Sequence, residues 1–193
     1  MMLKRLFKMV VAVSVVAFVA SIALAQTVPK DEKKLTTAGK YVTAPEAYDL
    51  WKANPDKVKI IDVRTPEEYS FVGHAPMAYN IPSKLWSGKF DAEKKDYVLE
   101  DNADFEAQVK KVAAPAETLI LMCRSGHRSA PAVNRLTTAG FTNVYNLIDG
   151  FEGDKVADED SYSKGKRAKN GWRNANLYWT YDLDAKLIYN PTK

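Results

Sequence analysis

The sequence predicts an α/β fold in which a central, mainly parallel sheet is flanked by helices. Three observations carry that expectation. Short apolar, β-branched runs recur at residues 58–63, 118–122 and 143–147; helix-start signatures accompany them; and strand, loop, helix and strand follow one another as a βαβ unit. The chain has 193 residues, 46% hydrophobic and 27% charged, a composition for one globular core and not for a disordered segment.

Each element has its own reason. Thr43-Ala44-Pro45-Glu46 supplies an N-cap threonine, an early proline and a glutamate at the capping-box position, and Ala47, Leu50 and Trp51 give an apolar stripe. This predicts a first helix ending near Asn54-Pro55. The run Val58-Lys59-Ile60-Ile61-Asp62-Val63 is a buried strand, and Thr65-Pro66-Glu67-Glu68-Tyr69 starts a second helix by the same cap-then-proline pattern. Residues 78–81 read as another short strand. A charged stretch at 83–116 is too long for a plain connection, and Phe105, Val109 and Val112 give its 104–112 portion a helical pattern. Thr118-Leu119-Ile120-Leu121-Met122 is a strand; residues 130–139 form a helix with Gly140 as its left-handed stop; residues 143–147 form the next strand.

Before this core stands a basic and then apolar segment. Lys4, Arg5 and Lys8 precede an uncharged run from Met9 that ends Ala23-Leu24-Ala25, the layout of a secretory signal peptide cleaved after Ala25. The run falls short of a membrane span of about 20 residues, and Gln26 stands where a lipoprotein would need cysteine. The mature protein is therefore expected to be periplasmic or secreted, with no membrane contact. Without those three cations the formal charge drops from +4 to +1, which argues against a nucleic-acid partner. Residues 26–40 are polar and lysine-rich and read as a linker or loosely held arm. Residues 154–169 read as a solvated charged loop. Trp172, Leu177, Tyr178, Trp179, Tyr181, Leu183, Leu187 and Tyr189 make the segment 171–189 too apolar for solvent, so it is expected to pack on its own domain.

Cys123 is the single cysteine of a chain expected to be exported, so no internal disulfide can form. It opens the loop Cys123-Arg124-Ser125-Gly126-His127-Arg128-Ser129 between an apolar strand and a helix. At such a turn several backbone N–H groups converge and the helix dipole adds to them, so an anion is stabilised. Here the thiolate is that anion, and it is expected to be nucleophilic at neutral pH. Gly126 lets the backbone turn its amides inward. Arg124 and Arg128 add permanent charge suited to a tetrahedral oxyanion such as thiosulfate.

This loop resembles the active-site loop of the rhodanese family of sulfurtransferases. Ile61-Asp62-Val63-Arg64-Thr65-Pro66-Glu67-Glu68-Tyr69, with Gly73-His74 and Asn80-Ile81-Pro82, is similar to that family's first signature. Ala139-Gly140-Phe141, Val144-Tyr145 and Asp149-Gly150-Phe151 are similar to its last. The likeness spans residues 43–153, one rhodanese domain within 41–153, and leaves out the leader, the arm and the 154–193 extension. It implies that Cys123 takes a sulfane sulfur as a persulfide and passes it to a thiol, cyanide or a protein acceptor, with no cofactor beyond that covalent intermediate. It implies that loop residues Arg124, Ser125, Gly126, His127, Arg128 and Ser129 bind the substrate. Asp62 and Arg64 match the family's Asp-Val-Arg element and are expected to support the site, Arg64 pairing with Glu67 or Glu68. Two departures stand out: Ala75-Pro76-Met77-Ala78 replaces the usual Ile-Pro-Gly-Ala, and the 83–116 insert is enlarged, enough to cover the site.

Two other readings compete. A cysteine-dependent phosphatase or arsenate reductase places five residues between cysteine and arginine, whereas Cys123 and Arg128 have four between them, a tighter pocket suited to one sulfur. A non-catalytic rhodanese-like binding module typically lacks the cysteine that this loop keeps. Elsewhere, His127 reads as a solvated hydrogen-bonding group and His74 as the holder of a turn. Two histidines and one cysteine, dispersed along the chain, give no metal-ligand spacing, and Asp158, Glu159 and Asp160 read as part of the solvated loop.

Overall fold

A computed structural model describes residues 27–190; the expected signal peptide lies outside the described residues. Five strands form one sheet in the order β1-β7-β6-β2-β3, every neighbouring pair parallel. They are β1 (Tyr41–Val42), β2 (Val58–Asp62), β3 (Tyr79–Asn80), β6 (Thr118–Met122) and β7 (Val144–Leu147). The helices are α1 (Ala44–Ala53), α2 (Pro66–Val72), α3 (Phe105–Val112) and α4 (Ser129–Thr138). The expected elements are present, and β1 joins them as a short edge strand.

Alternation along the two central strands sorts the core into two layers. Ile61, Val63, Leu119 and Leu121 face α3 and α4, where Phe105, Val109, Val133 and Leu136 complete a fully buried cluster. Ile60, Ile120 and Met122 face the other way, toward Ala44 and Ala47 of α1 and toward Phe151 and Trp172. Both faces are covered, which is why these strands read as continuous apolar runs. The capping boxes form as their sequences predict: Thr43 N–H donates to Glu46 at 2.7 Å, Thr65 N–H donates to Glu68 at 3.1 Å, and Glu68 N–H returns a bond to the Thr65 hydroxyl at 3.3 Å.

The connections give the sheet its functional edge. From β2 the chain moves through α2 to β3 on one side, whereas from β6 it moves through α4 to β7 on the other. The carboxyl ends of β2 and β6, paired at Asp62 and Met122, therefore flank a topological switch point, where open α/β sheets bind ligands.

Two segments differ from a minimal reading of the sequence, and a third agrees with it. The 83–116 insert contains an antiparallel hairpin, β4 (Lys84–Asp91) and β5 (Asp96–Asp101), which pairs only with itself and carries Trp86, Tyr97 and Phe90 in ring contact. The arm expected to be loose is docked: Lys34 is buried with its ammonium 2.8 Å from Asp154, and Thr37 N–H donates to Asn134 at 2.8 Å. Its few apolar residues conceal this, because polar bonds fasten it. The 171–189 segment packs on its own domain as expected. Trp172 is fully buried with its indole N–H donating to Tyr178 O at 3.0 Å, and His74 and Thr180 exchange backbone bonds at 2.9 Å. Tyr178, Tyr181 and Leu183 of this segment remain exposed.

Trp172 fills the layer under α1 from outside the central domain, so Trp172→Ala should cost about 3–5 kcal/mol, the usual range for emptying a large aromatic site. Urea unfolding checks this; a loss below about 1 kcal/mol would mean that the extension adds little to the core.

Candidate active site

The loop after β6 is shaped by what presses against it. Gly126 has φ +89°, and a Cβ there would lie 2.3 Å from the carbonyl oxygen of Ile148. Gly150 has φ +62°, and its Cβ would lie 2.5 Å from the amide nitrogen of Ser125 and 2.6 Å from Cys123 O. Only glycine satisfies both the left-handed backbone and the close approach. The segment after β7 then clamps the loop's entrance, Phe151 N–H donating to Cys123 O at 2.8 Å and Glu152 N–H to Arg124 O at 2.9 Å.

Within this wrap Cys123 Sγ is nearly fully buried and accepts the Gly126 N–H at 3.2 Å. Helix α4 begins at Ser129, so its N-terminal partial charge lies beside the sulfur. Ser129 Oγ is 3.4 Å from Sγ, but it also stands 2.6 Å from Asn146 Oδ1. Both Asn146 amide hydrogens are used, on Lys34 O at 2.9 Å and Gly126 O at 3.2 Å, so Asn146 Oδ1 must accept the single Ser129 proton. Ser129 Oγ is left able to accept an S–H from the thiol.

A cavity of about 480 Å³ opens over this sulfur. Cys123, Arg124, Ser125, His127 and Arg128 line it, joined by Thr65 and Glu68, by Trp86, Asp96, Tyr97 and Leu99 of the hairpin, and by Arg167. Gly126 and Ser129 do not line it; they act on the sulfur from behind. A second cavity of about 440 Å³ lies between β3, α3 and residues 185–190 and contains no nucleophilic thiol.

The charged groups are distributed differently from expectation. Arg64 does not pair with Glu67 or Glu68. It turns back on Asp62, with Nη2 2.6 Å from Oδ2 and Nε 3.0 Å from Oδ1, both side chains fully buried, and it lies 4.2 Å over the Phe151 ring. A second bond from Arg64 Nη2 to Gly73 O at 2.8 Å ties the end of β2 to the turn after α2. The two-residue spacing that makes this fork possible was in the sequence, but a helix-start glutamate offered an equally local partner. Glu68 instead takes Arg128, whose two terminal nitrogens each lie 2.6 Å from one carboxylate oxygen. Burial works against the Glu68 carboxylate, but this fork outweighs it and holds the group below its ordinary value.

His127 is not merely solvated. Its Nε2 is hydrogen-bonded to Asp31 Oδ2 of the arm at 2.7 Å, and its Nδ1 lies 3.3 Å from Ser125 Oγ. Asp31 lies below its ordinary range chiefly because of this bond. His74 holds a turn as expected, with Nδ1 3.1 Å from Tyr69 O and its ring stacked on Tyr69. Residues missed in sequence reading are Trp86, Asp96, Tyr97, Leu99 and Arg167. The hairpin gave no clean period-two signal, because Val98 stands between Tyr97 and Leu99, and nothing marks Arg167 among the cations of its loop.

The model of the rhodanese-like domain matches residues 43–157, more than half of the chain. The chain belongs to the rhodanese family. An uncharacterised protein of Rickettsia conorii is 33% identical over 144 residues, covering 72% of this chain and 96% of that one. Thiosulfate sulfurtransferase 16 of Arabidopsis thaliana is 36% identical over 112 residues, 57% of this chain and 82% of its own. Among solved structures, Rv0390 of M. tuberculosis superposes with a TM-score of 0.56 at 27% identity, covering 74% of this chain and 98% of that one. The matched rhodanese domain ends before Arg167, so that residue reaches the cavity from the extension.

One titration reports on the clamp behind the loop. Burial pushes the Asp149 carboxyl up to about 6, against the backbone amides of Asp149, Gly171 and Ala44. The folded protein therefore holds a proton between about pH 4 and 6 that the unfolded chain releases, and stability falls as pH rises through that window. In Asp149→Asn this loss is absent. The stability of the variant relative to wild type should improve by on the order of 2 kcal/mol from pH 4 to pH 8. Urea unfolding at the two pH values measures this; a constant difference would place the carboxyl at an ordinary value.

Proposed function

We propose that this rhodanese is a sulfurtransferase that carries sulfane sulfur on Cys123. The observation that bears most weight is the position of Cys123 Sγ. It accepts the Gly126 amide beside the start of α4, at the switch point of the sheet and under a cavity. Such a site holds negative charge on sulfur, which is the requirement both for attack and for a stored persulfide.

In the proposed cycle the Cys123 thiolate attacks the outer sulfur of thiosulfate, forming one S–S bond as the donor's S–S bond breaks. Sulfite leaves with the electron pair. The Cys123 persulfide then loses its terminal sulfur to cyanide, giving thiocyanate, or to a thiol or protein acceptor, giving that acceptor's persulfide, and the thiolate returns. The intermediate is covalent, so the cycle needs no added cofactor. Gly126 N–H and the α4 terminus stabilise the sulfur anion, and Ser129, fixed by Asn146, stands 3.4 Å from it. Asp62 and Arg64 hold the end of β2 against the loop and do not reach the donor. The site of action is proposed to be the periplasm or the exterior, on the strength of the leader at residues 1–25. The likeness to a protein named thiosulfate sulfurtransferase supports the choice of chemistry.

Intact-mass measurement tests the cycle. Thiosulfate should add one sulfur, about 32 Da, to the wild type, and cyanide should remove it as thiocyanate. Cys123→Ser should show neither change while keeping its fold by circular dichroism. A wild type that gains no sulfur from thiosulfate or polysulfide would favour a binding module, and phosphate-ester turnover would favour a phosphatase.

A further inference from the structure

Of the three arginines that line the cavity, one is committed and two are not. Arg128 spends both terminal nitrogens on Glu68 in a half-buried fork, and Arg64 lies behind the loop on Asp62. Withdrawing Arg128 toward a ligand would leave the Glu68 carboxylate, already desolvated, without its partner. Arg124 and Arg167 line the same cavity as Cys123, and neither has an ion pair among the described residues.

We infer that Arg124 and Arg167 together bind the anionic group of the sulfur donor, with Arg128 confined to holding α2 against the loop. This deepens the sulfur-transfer reading and rests on it for the identity of the donor. Arg167 is placed for the task. Its Nη1 donates to Gly153 O at 2.6 Å, its backbone bridges to Lys155, and its remaining N–H donors stay available to a ligand. Gly153 is itself pinned to the loop, donating to Arg124 O at 3.2 Å, so the two arginines are linked through Gly153.

The electrostatics agree. Burial and then the nearby Arg124 charge hold the Arg167 guanidinium below its ordinary value, while Glu152, Asp154 and Cys123 partly oppose them. A doubly charged anion between the two cations removes that repulsion, and Arg presents paired donors suited to sulfonate oxygens. With thiosulfate so held, the Cys123 thiolate and the donor's outer sulfur form the new bond, and the sulfite released keeps both its charges and the same arginines. Sulfite is therefore a probe of the anion site that involves no transfer.

The test titrates reduced wild type with sulfite by calorimetry and repeats it with Arg167→Gln, which keeps an N–H for Gly153 O, and with Arg167→Lys. Arg167→Gln should weaken sulfite binding about tenfold or more, the effect of one lost charge-assisted bond, and Arg167→Lys should recover part of it. In steady-state kinetics kcat/KM for thiosulfate should fall about tenfold while kcat/KM for a neutral dithiol acceptor is unchanged. Undiminished sulfite binding by Arg167→Gln, no sulfite binding by wild type, or an equal fall in both kinetic constants would overturn the inference. A wild type that binds sulfite through Arg167 yet gains no sulfur would leave this anion site standing and remove the sulfur-transfer reading.

Discussion

The candidate site depends on a backbone approach so close that no Cβ fits in it. The strand β6 must end, turn and feed α4 within seven residues, and it does so by laying residues 123–126 against residues 148–153. Gly126 and Gly150 are the two points of contact, each with positive φ and each with backbone atoms of the facing segment where a side chain would begin. The approach points the Gly126 amide at Cys123 Sγ, and it lets Phe151 and Glu152 close the loop's first two carbonyls. A buried thiol at a strand end would otherwise be an ordinary small hydrophobe. Here the same residue meets an amide donor, a helix terminus and a cavity.

Around that wrap the protein uses arginine for two different purposes. Arg64 and Arg128 are tied to carboxylates two residues and one helix away, and both pairs are largely removed from water. Buried pairs of this kind contribute little net stability against an apolar alternative, but they fix geometry, because breaking one strands a charge. The Asp62–Arg64 fork sets the end of β2, with Phe151 stacked beneath the guanidinium, and the Glu68–Arg128 fork sets α2 against the start of α4. Arg124 and Arg167 have no such ion pair among the described residues, and the difference separates arginines that hold the loop from arginines left open to a ligand.

Much of this was legible in the residues. The strands at 58–62 and 118–122 follow from runs rich in β-branched and aliphatic residues, and the starts of α1 and α2 follow from threonine, proline and glutamate at fixed offsets, because those signals are local. Cys123 was legible because a strand, a glycine-bearing loop and a helix start are consecutive. What escaped was decided by distant contacts. The choice between Asp62 and Glu68 as the partner of Arg64 turns on which way a long side chain is pressed by Phe151, 87 positions later in the numbering. The docking of the arm turns on Lys34, Thr37 and Asp31 meeting residues 154, 134 and 127, and polar partners so far apart leave no periodic trace.

The family domain and its additions therefore divide the work. Four of the sheet's five strands, the loop and the clamp after β7 lie within the matched span and make the floor on which Cys123 stands. The walls are of mixed origin: the β4–β5 hairpin, inside the same span, brings Trp86, Tyr97 and Leu99, whereas from outside it the arm brings Asp31 to His127 and the extension brings Arg167. A five-heavy-atom oxyanion fills only part of a cavity of about 480 Å³, and the remainder lies under an aromatic face. Chemistry fixed by the floor tolerates little change, since Gly126 and Gly150 admit no side chain. The walls are built on a self-paired hairpin and a polar loop, which carry no such constraint, and there the choice of ligand can vary while the surroundings of Cys123 stay intact.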